Sequence, residues 1–209
     1  MKILSGISVL ALLIAGAATP SFATTLADGG TAVPNTVAFT GFTQLATTGT
    51  MNYTYAGGAD QGTVMEEVGT FAGNPFGAND MTFVYQVTVK AGDIQHISGF
   101  DFGGTHLDVA DSVDGSGTTQ PTNATFDFGV VEFNFPGPSS ALLPGNTSYL
   151  LIVNTDATSF GTGTIGLLDG GGTTAAGFAP GATPEPSSLT LLGTGLLAAG
   201  AGLRRRMRK

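Results

Sequence analysis

The sequence has no cysteine, no tryptophan and almost no positive charge away from its two ends. Without thiols there is no disulfide framework, no thiolate metal site and no cysteine nucleophile. Six of the seven Lys and Arg residues lie at the extremities: Lys2, Arg204, Arg205, Arg206, Arg208 and Lys209. Residues 24–183 hold one base, Lys90, against fourteen acids, a formal charge of −13. Nucleic-acid binding depends on Lys and Arg neutralising phosphates, so the body of the chain is excluded from that role. Charged residues make up only 11% of the chain while Gly alone contributes 33 residues, a composition of turns and short strands rather than long helices.

What is present is most distinctive at the ends. Met1-Lys2 precedes an apolar run from Ile3 to Ala18, then Thr19-Pro20 and Ser21-Phe22-Ala23. A short positive region, a short apolar core and small residues before a cleavage point predict a signal peptide over 1–23, cut by signal peptidase between Ala23 and Thr24. A retained membrane anchor is the competing reading, and the shortness of the run argues against it. At the other end, Pro184-Glu185-Pro186 is followed by an uncharged, leucine-rich stretch, Ser187 to Leu203, and then by Arg204, Arg205, Arg206, Met207, Arg208 and Lys209. As a helix, 187–203 would extend about 26 Å, close to a hydrocarbon core that snorkelling arginines can help span. The five bases resist translocation, so the tail is expected to stay cytoplasmic while the body faces outward. A buried helix with a cationic cap explains this arrangement less well, because bases directly beyond an apolar run suit a membrane surface.

Residues 184–209, PEPSSLTLLGTGLLAAGAGLRRRMRK, resemble the PEP-CTERM sorting signal of exported proteins in Gram-negative bacteria that make exopolysaccharide. The resemblance implies that Pro184, Glu185 and Pro186 form the motif read by an exosortase. It further implies that 187–203 is a transient inner-membrane helix and that Arg204, Arg205, Arg206, Arg208 and Lys209 stop transfer. Two prolines around Glu185 also forbid regular helix or sheet and keep the segment extended for an enzyme.

Between the ends, alternating apolar segments recur between Gly, Asn and Pro clusters. Strands are predicted at Thr36–Phe42, Met51–Tyr55, Thr63–Phe71, Met81–Lys90, Ile94–Phe102, Thr125–Phe135, Ser148–Asn154 and Thr164–Leu168. In Met81 to Lys90 the odd positions are apolar and the even ones largely polar. A phase change near Gly129 suggests a bulge inside Thr125–Phe135. Together these predict an all-β fold, an antiparallel β-sandwich over 24–169, flanked by the signal helix and the C-terminal transmembrane helix. Residues 170–183, rich in Gly, Ala and Thr, read as a flexible linker to the 184–209 signal.

Candidate chemistry is sparse. The two histidines each lie near acids in sequence: His96 near Asp93 and Asp101, His106 near Asp108. No G-x-S-x-G elbow accompanies them, so a divergent surface hydrolase is the weakest of three readings. Asp108, Asp111 and Asp114, before Gly115, offer the oxygen ligands of a calcium site, although their spacing departs from the alternating acidic loop. A solvated acidic turn is the plainer explanation. Glu66 and Glu67, adjacent on a strand, would face opposite ways and form no carboxylate pair. Without tryptophan, and with phenylalanines on apolar strand phases, aromatic sugar platforms are not evident.

The sequence therefore predicts a non-enzymatic exported body at the cell surface or in the extracellular matrix, with no cofactor required. A carbohydrate- or calcium-binding adhesin module is the alternative. Expected partners are signal peptidase and the export machinery, the exosortase, the membrane through the C-terminal helix, and exopolysaccharide.

Overall fold

A computed structural model describes residues 25–181, apart from Gly115, residues 138–140 and Gly170. The expected signal peptide with its Ala23/Thr24 cleavage point, the motif Pro184 to Pro186, the 187–203 helix and the 204–209 basic tail lie outside the described residues.

Fourteen strands form among the described residues. They are β1 (Thr25–Leu26), β2 (Gly30–Ala32), β3 (Asn35–Thr36), β4 (Phe42–Thr47), β5 (Met51–Tyr55), β6 (Asp60–Phe71) and β7 (Met81–Ala91). The rest are β8 (His96–Gly99), β9 (Leu107–Ser112), β10 (Asn123–Asp127), β11 (Val130–Asn134), β12 (Leu150–Thr155), β13 (Phe160–Leu168) and β14 (Gly172–Pro180). One sheet runs β1-β9-β12-β7-β6-β4, with β3 also on β9 and β5 also on β6. The other runs β14-β13-β8-β11-β10-β2. Only β3 against β9 is parallel among the paired strands. The predicted all-β, antiparallel class is what the described residues adopt.

The two sheets share one apolar core. On β7 the odd positions Met81, Phe83, Tyr85, Val87 and Val89 are all buried and all belong to it, as the alternation requires. The second sheet supplies Ile97, Phe126, Val131, Phe133, Ile165 and Leu167 to the same cluster. Burying such side chains stabilises by roughly 1.5–3 kcal/mol each, which dominates a body with so few ion pairs.

Three expectations are corrected. First, Thr125–Phe135 is two strands: β10 and β11 form a hairpin with Asp127 opposite Val130. Phe128 and Gly129 both have positive φ, 48° and 78°. That is the mark of a two-residue type I′ turn, so the phase change is a chain reversal rather than a bulge.

Second, most of the expected 170–183 linker is strand: β14 pairs with β13 over nine positions from Phe160↔Pro180 to Leu168↔Gly172. The body thus runs to Pro180 rather than 169. Close approach explains the composition: a Cβ on Gly163 would come within 2.5 Å of the Phe178 backbone, and one on Gly166 within 2.8 Å of the Phe100 ring. The small residues are a packing requirement.

Third, the first part of the acidic stretch, Asp108 to Ser112, belongs to strand β9 and not to a loop, and Asp114 lies just beyond its end. The strand lies between β12 on one side and β1 and β3 on the other. The segment Thr36–Phe42 likewise divides, with β3 ending at Thr36 and β4 beginning at Phe42.

Candidate functional site

The carboxylates suggested for calcium do not converge. Asp108 and Asp111 are buried in β9, and each is engaged separately. Asp108 Oδ2 accepts from Asn154 Nδ2 at 2.9 Å, whose Oδ1 in turn accepts from the Thr82 hydroxyl at 2.9 Å. Asp111 Oδ2 accepts from Gln120 Nε2 at 3.0 Å. Asp114 Oδ2 accepts the Phe39 amide at 2.7 Å and the Ser112 hydroxyl at 2.9 Å, tying the N-terminal segment to the end of β9. These acids hold strands together. Burial raises the Asp111 carboxyl above its ordinary range, while Thr36 and Gln120 pull it back.

A different triad gathers instead. Asp60 opens β6, Asp93 lies between β7 and β8, and Asp169 follows β13; their ligand oxygens all lie within 4.8 Å of one another. Gly92, at φ 73°, makes the approach possible, because a Cβ there would overlap Asp60 Oδ1. Gln95 Nε2 donates to Asp169 Oδ1 at 2.8 Å and to Asp93 Oδ2 at 3.4 Å. The Tyr55 hydroxyl donates to the Asp169 backbone carbonyl at 3.0 Å. Crowding of like charges has consequences. Burial, then the hydrogen bond and charge of Asp93 and the charge of Asp60, push Asp169 up to about 6. Burial and the charges of Asp169, Asp60 and Asp93 push Tyr55 up to about 12. Oxygen-only donors with concentrated negative charge suit a hard divalent cation such as Ca²⁺ rather than a thiophilic metal.

The sequence hides this triad because its members lie far apart along the chain. The available signal was local: Asp93 follows Gly92, Asp169 precedes Gly170, and Asp60 occupies the apolar phase shared by Gly62 and Val64.

Among the described residues, neither histidine meets a serine nucleophile. His96 Nδ1 donates to Asn134 Oδ1 at 2.6 Å and lies 3.3 Å from Glu132 Oε1. The nearby Ser98 hydroxyl donates to Glu132 Oε2 at 3.3 Å, not to the ring. His106 pairs with Asp156, at 2.6 Å through Nδ1 and 3.0 Å through its own amide, rather than with Asp108. Its side chain is 77% exposed.

These features define an acidic, all-β body with no assembled nucleophile–base pair at its histidines. The chain carries a further, family-level feature: residues 182–206 match the PEP-CTERM protein-sorting motif. That motif marks an exosortase-targeted, exported protein sorted to the cell surface. The chain is similar to no curated protein and to no solved structure at a significant level.

Proposed function

We propose that this is an exported, exosortase-processed protein of the cell surface or extracellular matrix, whose β-sandwich body works by structure and contact rather than catalysis. In this reading residues 1–23 direct export, 187–203 anchor the chain transiently, and 204–209 hold the tail in the cytoplasm. The observation that carries it is the sorting-motif match at 182–206, which begins directly after the described body at Gly181. The histidine environments support a non-catalytic body, and the charge of −13 over 24–183 would keep it soluble among polysaccharides. Expressed in cells with and without the exosortase, the protein should differ in C-terminal mass. Equal masses in the two strains would rule the processing out.

The acidic triad favours one second reading, a calcium-binding surface module. Titration calorimetry of the purified chain with Ca²⁺ should give binding heat that Asp93→Ala and Asp169→Ala remove and Asp111→Asn leaves in place. Absence of heat in the unaltered protein would eliminate this reading without touching the first.

A further inference from the structure

The strand that leads into the sorting motif is an edge strand, paired with β13 along its length and clamped further at its far end. β14 pairs with β13 on one side and lies at the margin of its sheet. Its first half, Gly172 to Ala176, is small and partly exposed. The further clamps lie at the C-terminal end. The Phe178 ring meets Phe160 edge-on at 5.6 Å, Ala179 is buried, and the Gly181 amide donates to the Ser159 carbonyl at 2.8 Å. The Phe178 amide turns toward the opposite sheet and donates to Glu66 Oε2 at 2.8 Å.

Glu66 is a peculiar partner. It is fully buried on the inward phase of β6, between Val64 and Val68. Its Oε1 has no hydrogen bond, and neither has the hydroxyl of Tyr85, its neighbour across β7. The two groups face each other closely enough for the Tyr85 hydroxyl to favour the Glu66 carboxylate, although neither atom completes a well-formed hydrogen bond. Gly177 packs against Oε2 so tightly that a Cβ would overlap it. A neutral carboxyl suits such a site better than an ionised one, whose desolvation the Phe178 amide and the Tyr85 hydroxyl do not offset.

We propose that β14 is a releasable closing strand, locked by the Phe178 amide on Glu66, and that its release sets how much chain the exosortase can reach. This rests on the exosortase reading above. The tether is otherwise short: from Pro180 to Pro184 the chain spans at most about 14 Å, and to Ser187 about 25 Å. Releasing the nine residues of β14 would add about 30 Å.

Protonation is coupled to the lock. Burial pushes Glu66 up to about 8, while the Phe178 amide and Tyr85 pull it down without offsetting that burial. β13 and β14 carry no titratable side chain, β7 presents Tyr85, and β5 presents Tyr53 further along the same face, opposite Gly62. In the released strand Glu66 meets water and ionises normally, near 4.5. A group raised in the docked state stabilises docking fully below its free value, and that contribution is lost as pH rises through the docked value. Docking should therefore weaken between about 4.5 and 8, by up to tenfold per pH unit.

The test uses the full-length chain in detergent, purified from cells lacking the exosortase. Hydrogen exchange of the β14 amides, corrected for intrinsic rate, should accelerate between pH 5 and pH 8 by up to about 10³-fold, the accumulated tenfold-per-unit limit. Glu66→Gln should flatten that dependence. A β14 that exchanges alike at both pH values, or a Glu66→Gln profile matching wild type, overturns the lock. Thr164→Cys with Ala176→Cys, a facing pair in a chain without other cysteines, staples β14 to β13. In cells with the exosortase, the stapled chain should be processed at least several-fold more slowly than its single-cysteine parents. Equal rates overturn the tether role while leaving processing itself intact. If even the unstapled protein keeps its tail, the exosortase reading falls and the tether role falls with it, whereas the exchange result still judges the lock.

Discussion

At the residue scale, the body depends on positions where a single atom decides whether two strands can meet. Gly92 and Gly49 form a natural control, since both have positive φ, 73° and 65°, yet only Gly92 faces an obstruction. Nothing stands within 4 Å of a Cβ at Gly49. Gly49→Ala should cost about 1 kcal/mol, the strain of an alanine in left-handed backbone. Gly92→Ala adds a clash with the Asp60 carboxylate and should cost roughly 2 kcal/mol more, in the range of overpacked sites. Urea denaturation of the two variants measures the difference; equal midpoints would mean that the Asp60 carboxylate yields freely and that the triad is not held close. The same residue scale explains why the metal reading of Asp108, Asp111 and Asp114 misled. Aspartate is depleted in strands, so a run containing three reads as a turn. Asp108 and Asp111 are tolerated inside β9 only because Asn154 and Gln120, distant in sequence, answer them.

At the element scale, legibility followed amphipathic period. β5, β6 and β7 lie close to their expected limits because one face is core and the other is not. β14 was opaque, because a strand chosen for close approach to a glycine-rich neighbour has the composition of a linker. The β10–β11 hairpin was misread for another reason: Phe128 stands where asparagine or glycine is expected in a type I′ turn. Phe128 has φ 48°, is 91% exposed, and its amide donates to Asp28 Oδ1 at 3.0 Å. A bulky side chain in that backbone is strained and gains no burial in return. Phe128→Asn retains the amide bond and suits the turn, so it should stabilise the body by about 0.5–1 kcal/mol, raising Tm by roughly 1–4 °C. Differential scanning calorimetry checks this. A lowered Tm would show that the ring makes contacts worth more than its strain.

At the scale of the whole molecule, the body should be more stable in mild acid than at neutrality, unlike most proteins whose paired carboxylates must stay ionised. Glu66, Asp80, Asp111 and Asp169 all have carboxyls raised by burial first, with Asp156 adding to the effect at Asp80 and Asp93 and Asp60 at Asp169. Raised acids stabilise fully below their unfolded values and lose that contribution as pH climbs through the folded ones, so the window runs from about 4 to 6 for Asp169 and about 4.5 to 8 for Glu66. Asp169 is only partly buried and contributes less; the fully buried Glu66 dominates the slope. General repulsion among fourteen acids facing one base works in the same direction. Salt separates the two causes. In 1 M NaCl the screening length falls to about 3 Å, which suppresses surface repulsion but not the burial of one carboxyl. Thermal melts from pH 5 to pH 8 should thus show Tm falling with pH at low salt, falling less at 1 M, and nearly level at 1 M in Glu66→Gln. A wild-type Tm at 1 M that does not fall across that range would mean Glu66 stays charged in the core, and the physical basis for a protonation-linked closing strand would be gone.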